Sequence, residues 1–295
     1  MKPKLTMRDL LASKGQRKLA MTNASDYNTA RAAEAAGMDI ISARGLWDER
    51  QMCVGLDQVR AGAPNTIVAC NLPPTVAYVS DAEAIRCAML ARDHGADLIY
   101  SSGNTPARLG AIAELGIPVA GHVGLVPIRA TWLGGLRAVG KTLDEAVDVY
   151  RQTLAFQAIG AVAVEMECVP AAIAAEITRR TSLLVMSLGS GPDCDGQFLY
   201  SSDLLGTFEN RYPGLARPYE GPYPRHARQY ADLHAAAVRA FEASWPTSRP
   251  ASSPRPATWL ASPTTWSRDS WPRWNRSMPG SSKGWRTCLH LGSGS

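Results

Sequence analysis

Residues 161–170 read Ala-Val-Ala-Val-Glu-Met-Glu-Cys-Val-Pro, and this stretch decides the fold. Side chains alternate across a strand. One face therefore carries Val162, Val164, Met166 and Cys168, and the other carries Ala163, Glu165 and Glu167. An apolar face suits a covering layer of helices, which leaves both carboxylates pointing the opposite way. In a closed parallel barrel that direction is the interior, near the catalytic end. Two buried acids are costly unless they do chemistry, hold a cation or are neutralised by buried Arg or Lys.

Short apolar runs alternate with helical patterns about seven times over residues 1–244. The predicted strands are Leu19–Ser25, Asp39–Ala43, Thr66–Leu72, Asp97–Ser101, Pro118–Leu125, Ala161–Cys168 and Leu183–Leu188. Capping boxes, Ser80 to Glu83 and Thr142 to Glu145, mark helix starts between them. This alternation predicts a parallel sheet, and its length favours an α/β (β/α)8 TIM barrel over an open doubly wound sheet.

Three further elements complete the predicted barrel. An N-terminal helix over Met7–Lys14 is expected to plug its bottom. The eighth strand is expected near Leu215–Tyr219, followed by a helix over Arg225–Ser244.

The composition predicts a cytoplasmic protein with no membrane partner. The 295 residues are 45% hydrophobic, contain no run of eighteen apolar residues and begin without the apolar stretch of a signal peptide. The six cysteines lack CxxC spacing, which favours reduced core residues over disulfides or zinc ligands.

The net charge of +5 comes from residues 245–295. That tail has seven basic residues, one acid (Asp269) and six of the eight tryptophans, mixed with Ser and Pro and without helical or strand periodicity. We therefore divide the chain into a catalytic barrel, 1–244, and an irregular tail, 245–295, that is disordered or translated out of frame. An in-frame match at the native locus of close relatives would refute the frame-shift hypothesis. The alternative is that the aromatic, Arg-rich tail binds single-stranded nucleic acid. For the barrel residues we predict no nucleic-acid partner.

Residues 135–142, Gly-Leu-Arg-Ala-Val-Gly-Lys-Thr, match the phosphate-loop pattern GxxxxGK[ST]. Such a loop needs a strand immediately before it, and here residues 127–134 intervene. We expect instead that Trp132–Thr142 form a mobile loop over the barrel mouth, held where Thr142 caps a helix, and that Arg129 and Arg137 attract an anionic substrate.

Several ordered blocks resemble the ketopantoate hydroxymethyltransferase family, of the phosphoenolpyruvate mutase and isocitrate lyase superfamily, over about Leu5–Ser244. They are Ala24-Ser-Asp-Tyr27, Arg60-Ala-Gly-Ala-Pro-Asn65, Asn71-Leu-Pro73, Gly121-His-Val-Gly-Leu-Val-Pro127, Glu167-Cys-Val-Pro170 and Asp195-Gly-Gln197. The resemblance implies a homo-oligomer, often a decamer. It also implies that the enzyme enolises a Mg²⁺-bound small 2-oxo acid and adds it to the one-carbon unit of methylenetetrahydrofolate.

The resemblance places the catalytic base of the family on Glu167 and its Gly-His motif on His122. Enolisation needs a base for the proton next to the carbonyl and a group that stabilises the enolate oxygen. A histidine in this position is equally consistent with a packing or hydrogen-bonding role.

The metal-handling acids of the family are replaced in this chain. Their positions fall on Gly45, Asn71 and Ser102, and the position of the substrate-binding lysine falls on Tyr100. Because a hard divalent cation favours anionic oxygens, we expect no metal and no cofactor. Mg²⁺ and methylenetetrahydrofolate remain expected if the ordinary activity is retained, for which Asp48 or Glu49 would have to fold back into the mouth.

The replacements favour a remodelled site over a decayed one. Glu167 acts as base and Glu165 or His122 as the partner acid, since one of two neighbouring carboxyls is expected to hold a proton. Asn71, Tyr100, Ser102 and Gly45 line the substrate site. Arg44 is expected to bind a carboxylate in place of the metal, its alternative being a surface salt bridge to Asp48 or Glu49.

The predicted function is a metal-independent enzyme that makes or breaks a C–C bond in a small carboxylate or carbonyl substrate. One alternative is an authentic ketopantoate hydroxymethyltransferase with a remodelled metal site. Another is an inactive barrel kept as a binding or assembly partner, whose biological role would survive the substitution Glu167→Gln.

Overall fold

A closed barrel of eight parallel strands is the centre of the fold, in a computed structural model that describes residues 4–44, 48–103, 105–207 and 227–244. The strands are hydrogen bonded in chain order, and the last pairs with the first. They are β1 (Leu19–Ala24), β2 (Ile40–Ala43), β3 (Ile67–Asn71), β4 (Leu98–Tyr100), β5 (Val119–Gly124), β6 (Ala163–Glu167), β7 (Leu184–Leu188) and β8 (Gly196–Phe198). The predicted (β/α)8 barrel and its first seven strands are confirmed.

Helices follow the strands, and those with predicted capping boxes begin where the sequence signals them. They are α1 (Met7–Ala12), α2 (Tyr27–Ala35), α3 (Glu49–Gly62), α4 (Pro74–Ala77), α5 (Asp81–Asp93), α6 (Pro106–Ala113), α7 (Ala130–Leu133), α8 (Leu143–Ala158), α9 (Ala171–Arg180), α10 (Ser201–Leu205) and α11 (Leu233–Ser244), with a 3-10 turn over Pro127–Arg129. Ser80 caps α5 and Thr142 caps α8, each by accepting a hydrogen bond from the backbone amide three residues on.

The eighth strand is not where the sequence pattern predicts it. β8 is Gly196–Phe198, and Leu215–Tyr219 lie outside the described residues. A strand of three residues that contains a glycine is too short to show the alternation of apolar and polar residues by which strands are predicted.

The last described helix also begins later than predicted. It starts at Leu233 instead of Arg225, because the Asp232 side chain accepts a hydrogen bond from the Ala235 amide (2.9 Å) and caps the helix there.

The inside of the barrel is a separate apolar cluster from the layer between strands and helices. Leu10 of α1 is 1% exposed and belongs to the inner cluster with Leu19 and Leu184 at the start of their strands, so the predicted plug helix is confirmed. Lys14 fixes the segment after this helix, because its Nζ lies 2.6 Å from Asp195 Oδ2 and 2.8 Å from the Leu183 carbonyl oxygen.

The chain divides into two compact units, Met1–Val238 and Arg239–Ser295, and the barrel belongs to the first. Within the described part of the chain, no helix combines the length and apolar character needed to cross a membrane.

Candidate active site

The inward-facing positions turn from apolar to polar toward the carboxyl ends of the strands. Ile40, Ala69, Leu98, Ala120 and Ala163 belong to the inner apolar cluster. The residues that follow each of them by two or four positions share its face. The polar set assembled this way is Ser42, Arg44, Asn71, Tyr100, Ser102, His122, Glu165 and Glu167. Gly45 lies outside the described residues.

Three ionisable side chains form the centre of the site. His122, Glu165 and Glu167 are each 4–5% exposed, and one ligand-type atom from each lies within 4.8 Å of the others. His122 Nε2 and Glu167 Oε2 are 3.0 Å apart, an ion-pair distance when the imidazole is protonated. Among the described residues, no group meets the geometry of a hydrogen bond to His122 Nε2 or to Glu165 Oε2. Such buried unsatisfied atoms mark a place prepared for another group.

Tyr100 contacts this trio from β4. Its hydroxyl lies 3.2 Å from His122 Nδ1, and its hydrogen bond with the Glu165 carboxyl also influences the titration of both groups. Burial raises the pKa of Tyr100 well above its ordinary value, so the phenol keeps its proton and can donate it in a hydrogen bond.

Burial and neighbouring charges shift the pKa values of Glu165 and His122. Burial raises the pKa of Glu165, and the nearby Glu167 charge raises it further, although His122 opposes the shift. Burial by itself lowers the pKa of His122, but the charges of Glu165 and Glu167 outweigh it and the net shift is upward. Both directions favour the protonated forms of Glu165 and His122 beside the Glu167 carboxylate.

The backbone directly after Glu167 adopts an unusual conformation. Cys168 has φ +51°, the one positive φ among the described non-glycine residues. Ser190 holds this turn, because its hydroxyl donates to the Met166 carbonyl (2.8 Å) and accepts from the Val169 amide (2.9 Å). A strained turn that the surrounding structure holds in place is typical of functional sites.

The neighbouring strand approaches the same turn closely at Gly124. This residue has φ +85°, and a Cβ there would lie 2.3 Å from the Glu167 carbonyl oxygen. Only glycine fits both the conformation and the space.

Asn71 and Ser102 lie next to each other at the ends of β3 and β4. Asn71 Nδ2 is 3.3 Å from Ser102 Oγ, and Asn71 Oδ1 is 3.4 Å from the same hydroxyl. The pair is uncharged and offers an amide and a hydroxyl to a ligand.

Arg44 follows β2 and stacks on an aromatic ring. Its guanidinium carbon lies 4.1 Å from the centroid of the Tyr200 ring. Asp48 instead caps α3 by accepting from the Gln51 amide, and Glu49 pairs with Arg86. The structure therefore contradicts the alternative of a surface salt bridge between Arg44 and Asp48 or Glu49.

The positions that the resemblance associates with Mg²⁺ do not fit that ion. Asn71 and Ser102 are neutral and hydrogen bond to each other, whereas Mg²⁺ favours carboxylates and phosphates. The donor set of His122, Glu165 and Glu167 is different: one imidazole and two carboxylates suit a transition-metal ion, and two of its atoms lack partners among the described residues. If this barrel holds a metal, these are the residues that fit it.

The 135–142 motif does not form a phosphate loop. Its amides at Gly140 and Lys141 each donate to Glu145 at 3.0 Å, and Arg137 donates to the same carboxylate at 2.7 Å. The hydrogen bond from Arg137, together with those from the backbone amides, lowers the pKa of Glu145 to about 2. The Glu145 carboxylate thus accepts the amide hydrogen bonds that a phosphate would accept in a phosphate loop. The mobility of this loop and the attraction of substrate by Arg129 and Arg137 stay predictions.

Two residues of the site were not identified from the sequence. Tyr200 follows β8, whose place in the chain the sequence pattern missed, and Ser190 acts through hydrogen bonds to backbone between distant strands. Recognising residues 196–198 as a strand would have placed Tyr200 on the inner face, whereas no sequence signal identifies Ser190.

Comparison with known proteins identifies the family of this chain. The sequence profile of the family described as ketopantoate hydroxymethyltransferase matches residues 48–247. A 3-methyl-2-oxobutanoate hydroxymethyltransferase of Deinococcus radiodurans is 37% identical over 259 residues, covering 81% of this chain and 89% of the relative. The enzyme of that name from Thermus thermophilus is 33% identical, covering 72% and 87%.

Solved structures share the fold at low sequence identity. The structure of 2,3-dimethylmalate lyase, described as a PEP mutase/isocitrate lyase superfamily member, superposes with a TM-score of 0.52 at 11% identity, covering 87% of this chain and 93% of that one. On the profile match and the relatives together, this chain belongs to the ketopantoate hydroxymethyltransferase family.

Proposed function

We propose that this protein is a diverged member of its family that removes a proton next to a carbonyl without a metal ion. Its substrate is a small carboxylate or carbonyl compound, and the enolate that forms makes or breaks a C–C bond. The observation that carries the proposal is the buried trio of His122, Glu165 and Glu167 beside an Asn71–Ser102 pair that has no charge for Mg²⁺.

Glu167 is the proposed base, since it lies at the carboxyl end of β6 against the strained turn at Cys168. Its carboxylate takes the proton from the carbon next to the carbonyl, and the electron pair of that C–H bond becomes the enolate. His122 lies 3.0 Å away, and its raised pKa favours a positive charge beside this carboxyl group.

Charge on the enolate oxygen needs a hydrogen-bond donor in place of a metal. Tyr100 supplies a hydroxyl, and the protonated form of Glu165, favoured by burial, supplies a second donor. Preorganised donors in a buried site are effective because they need not reorient during the reaction. Asn71 and Ser102 are proposed to orient the substrate.

The test is proton exchange in 3-methyl-2-oxobutanoate followed by proton NMR in D₂O. We expect loss of the C3 proton signal in the presence of a chelator, as Glu167 removes the proton and a deuteron from solvent replaces it. The variant Glu167→Gln should lose at least about a hundredfold in rate, the lower end for a general base. The matched control Glu176→Gln, on the exposed face of α9, should not.

A second function is favoured by the donor set of the trio. Authentic 3-methyl-2-oxobutanoate hydroxymethyltransferase activity, named for the relatives and using methylenetetrahydrofolate, would be restored if His122, Glu165 and Glu167 held a metal ion. The ion would supply a Lewis acid for the carbonyl oxygen. Exchange that appears only with added divalent metal supports this function and rejects the metal-free one. Absence of exchange in both conditions rejects both for this substrate.

A further inference from the structure

We infer that Arg44, stacked on Tyr200, is a binding site for the carboxylate of a 2-oxo acid, so that an arginine side chain supplies the positive charge at the barrel mouth. The inference rests on the proposed function and deepens it by naming the class of substrate and the group that holds it.

The Tyr200 side chain supports the guanidinium. The Arg44 guanidinium carbon lies over the Tyr200 ring, 4.1 Å from its centroid, and a hydrogen bond also links the two side chains. Tyr200 is itself 8% exposed and packs edge-on against Phe198, with ring centroids 5.1 Å apart, so the support is rigid.

The charge of Arg44 interacts with that of Glu165, but the two side chains do not form an ion pair. Within the part of the chain that the structure describes, no ion pair within 4.0 Å involves this arginine. A half-buried guanidinium is favourable where an anion approaches it, and its fork of N–H groups matches a carboxylate in a bidentate manner.

The barrel topology places this cation across from the base. Arg44 follows β2 and Glu167 ends β6, and four steps separate these strands around the eight-strand ring. A small 2-oxo acid held at Arg44 by its carboxylate directs its alkyl end toward Glu167, and its carbonyl oxygen lies near the β3–β5 side that carries Asn71, Tyr100 and His122.

The experiment separates binding from chemistry. The probe is 3,3-dimethyl-2-oxobutanoate, which has no proton at C3 and so cannot be enolised in that position, titrated calorimetrically into the full chain with chelator present. We expect Arg44→Gln to weaken binding at least about tenfold, equivalent to about 1.4 kcal/mol. Arg44→Lys should bind with intermediate affinity, because an ammonium keeps the charge without the fork.

Two controls make the result specific. Arg151→Gln, on the exposed side of α8, should bind the probe like the wild type. The neutral ketone 3,3-dimethylbutan-2-one, which lacks the carboxylate, should show no difference between wild type and Arg44→Gln. Circular dichroism and thermal unfolding verify that the variants fold.

Three results would overturn the inference. The wild type and Arg44→Gln could bind the probe with equal affinity, the wild type could bind it only after Mg²⁺ is added, or it could fail to bind the probe both with chelator and with Mg²⁺. Failure of the proposed function looks different: the probe binds and depends on Arg44, yet 3-methyl-2-oxobutanoate shows no exchange.

Discussion

The Ser190 hydroxyl bridges the backbone on both sides of Cys168, donating to the carbonyl two residues before it and accepting from the amide one residue after it. Cys168 has φ +51°, and the residue it follows is Glu167. The orientation of the proposed base is therefore fixed by a side chain from beyond the next strand.

We expect Ser190→Ala to lower the rate of proton exchange while leaving the KM for the 2-oxo acid unchanged, because substrate contacts stay intact and only Glu167 loses its position. The free energy of unfolding should fall by about 1–3 kcal/mol, the cost of leaving a buried amide unsatisfied. Steady-state kinetics and chemical denaturation measure both effects.

Ser182→Ala is the matched control, since Ser182 is exposed and its side chain has no corresponding role. Ser190→Thr retains the hydroxyl and should recover part of the rate. An unchanged exchange rate in Ser190→Ala would show that the turn keeps its geometry without the bridge.

Glu165→Gln should stabilise the protein at neutral and alkaline pH. The pKa of Glu165 is raised in the folded state above its ordinary value of 4.5 by burial and by Glu167. Its contribution to stability is thus fully present below pH 4.5 and is lost as the pH rises through the folded pKa. Glutamine keeps the shape without the charge, so the variant lacks this loss. Thermal unfolding should show a higher Tm for the variant at pH 8 and a difference that shrinks toward pH 4.5. The corresponding difference in the free energy of unfolding is on the order of 1.4 kcal/mol for a pKa raised by one.

A Tm difference that stays constant between these pH values would contradict a raised pKa of Glu165. Glu176→Gln serves as the control on the surface of the same barrel.

His122 should titrate above its ordinary value of 6.5 in the wild type and below it when both neighbouring acids are neutralised. Burial alone lowers its pKa, and Glu165 and Glu167 reverse that effect. The stabilisation that the raised pKa provides is present below pH 6.5 and is lost as the pH rises through the folded value. NMR of labelled histidine in wild type and in Glu165→Gln/Glu167→Gln measures both pKa values. A double variant that titrates like the wild type would mean that other groups set this pKa.

The sequence predicted the barrel and most of its interior because alternation along one clear strand, 161–168, assigns faces to both acids. The resemblance placed His122, Tyr100 and Asn71 in the site, and in the structure all three lie at inward-facing strand positions. The alternation pattern failed at the eighth strand, because its three residues, which include Gly196, show no apolar–polar alternation. Tyr200, which follows this strand, was therefore not identified either.

Contacts between residues distant in the chain were beyond sequence reasoning for a different reason. The stacking of Arg44 on Tyr200 depends on ring closure between β8 and β1, and the Ser190 bridge depends on how the β7 loop crosses the end of β6. Residue types alone favoured a surface salt bridge for Arg44 as much as a place in the mouth.

Metal content separates the two functions of the trio. If the site works as a metal-free base, purified protein should contain less than about a tenth of an equivalent of Zn, Mn, Fe and Mg, and exchange should survive dialysis against chelator. Elemental analysis by mass spectrometry measures this directly. If instead His122, Glu165 and Glu167 hold an ion, near-stoichiometric metal should be found and His122→Ala should remove it. Because metal ligands must be deprotonated, bound metal would also abolish the raised His122 titration described above, so the two experiments must agree.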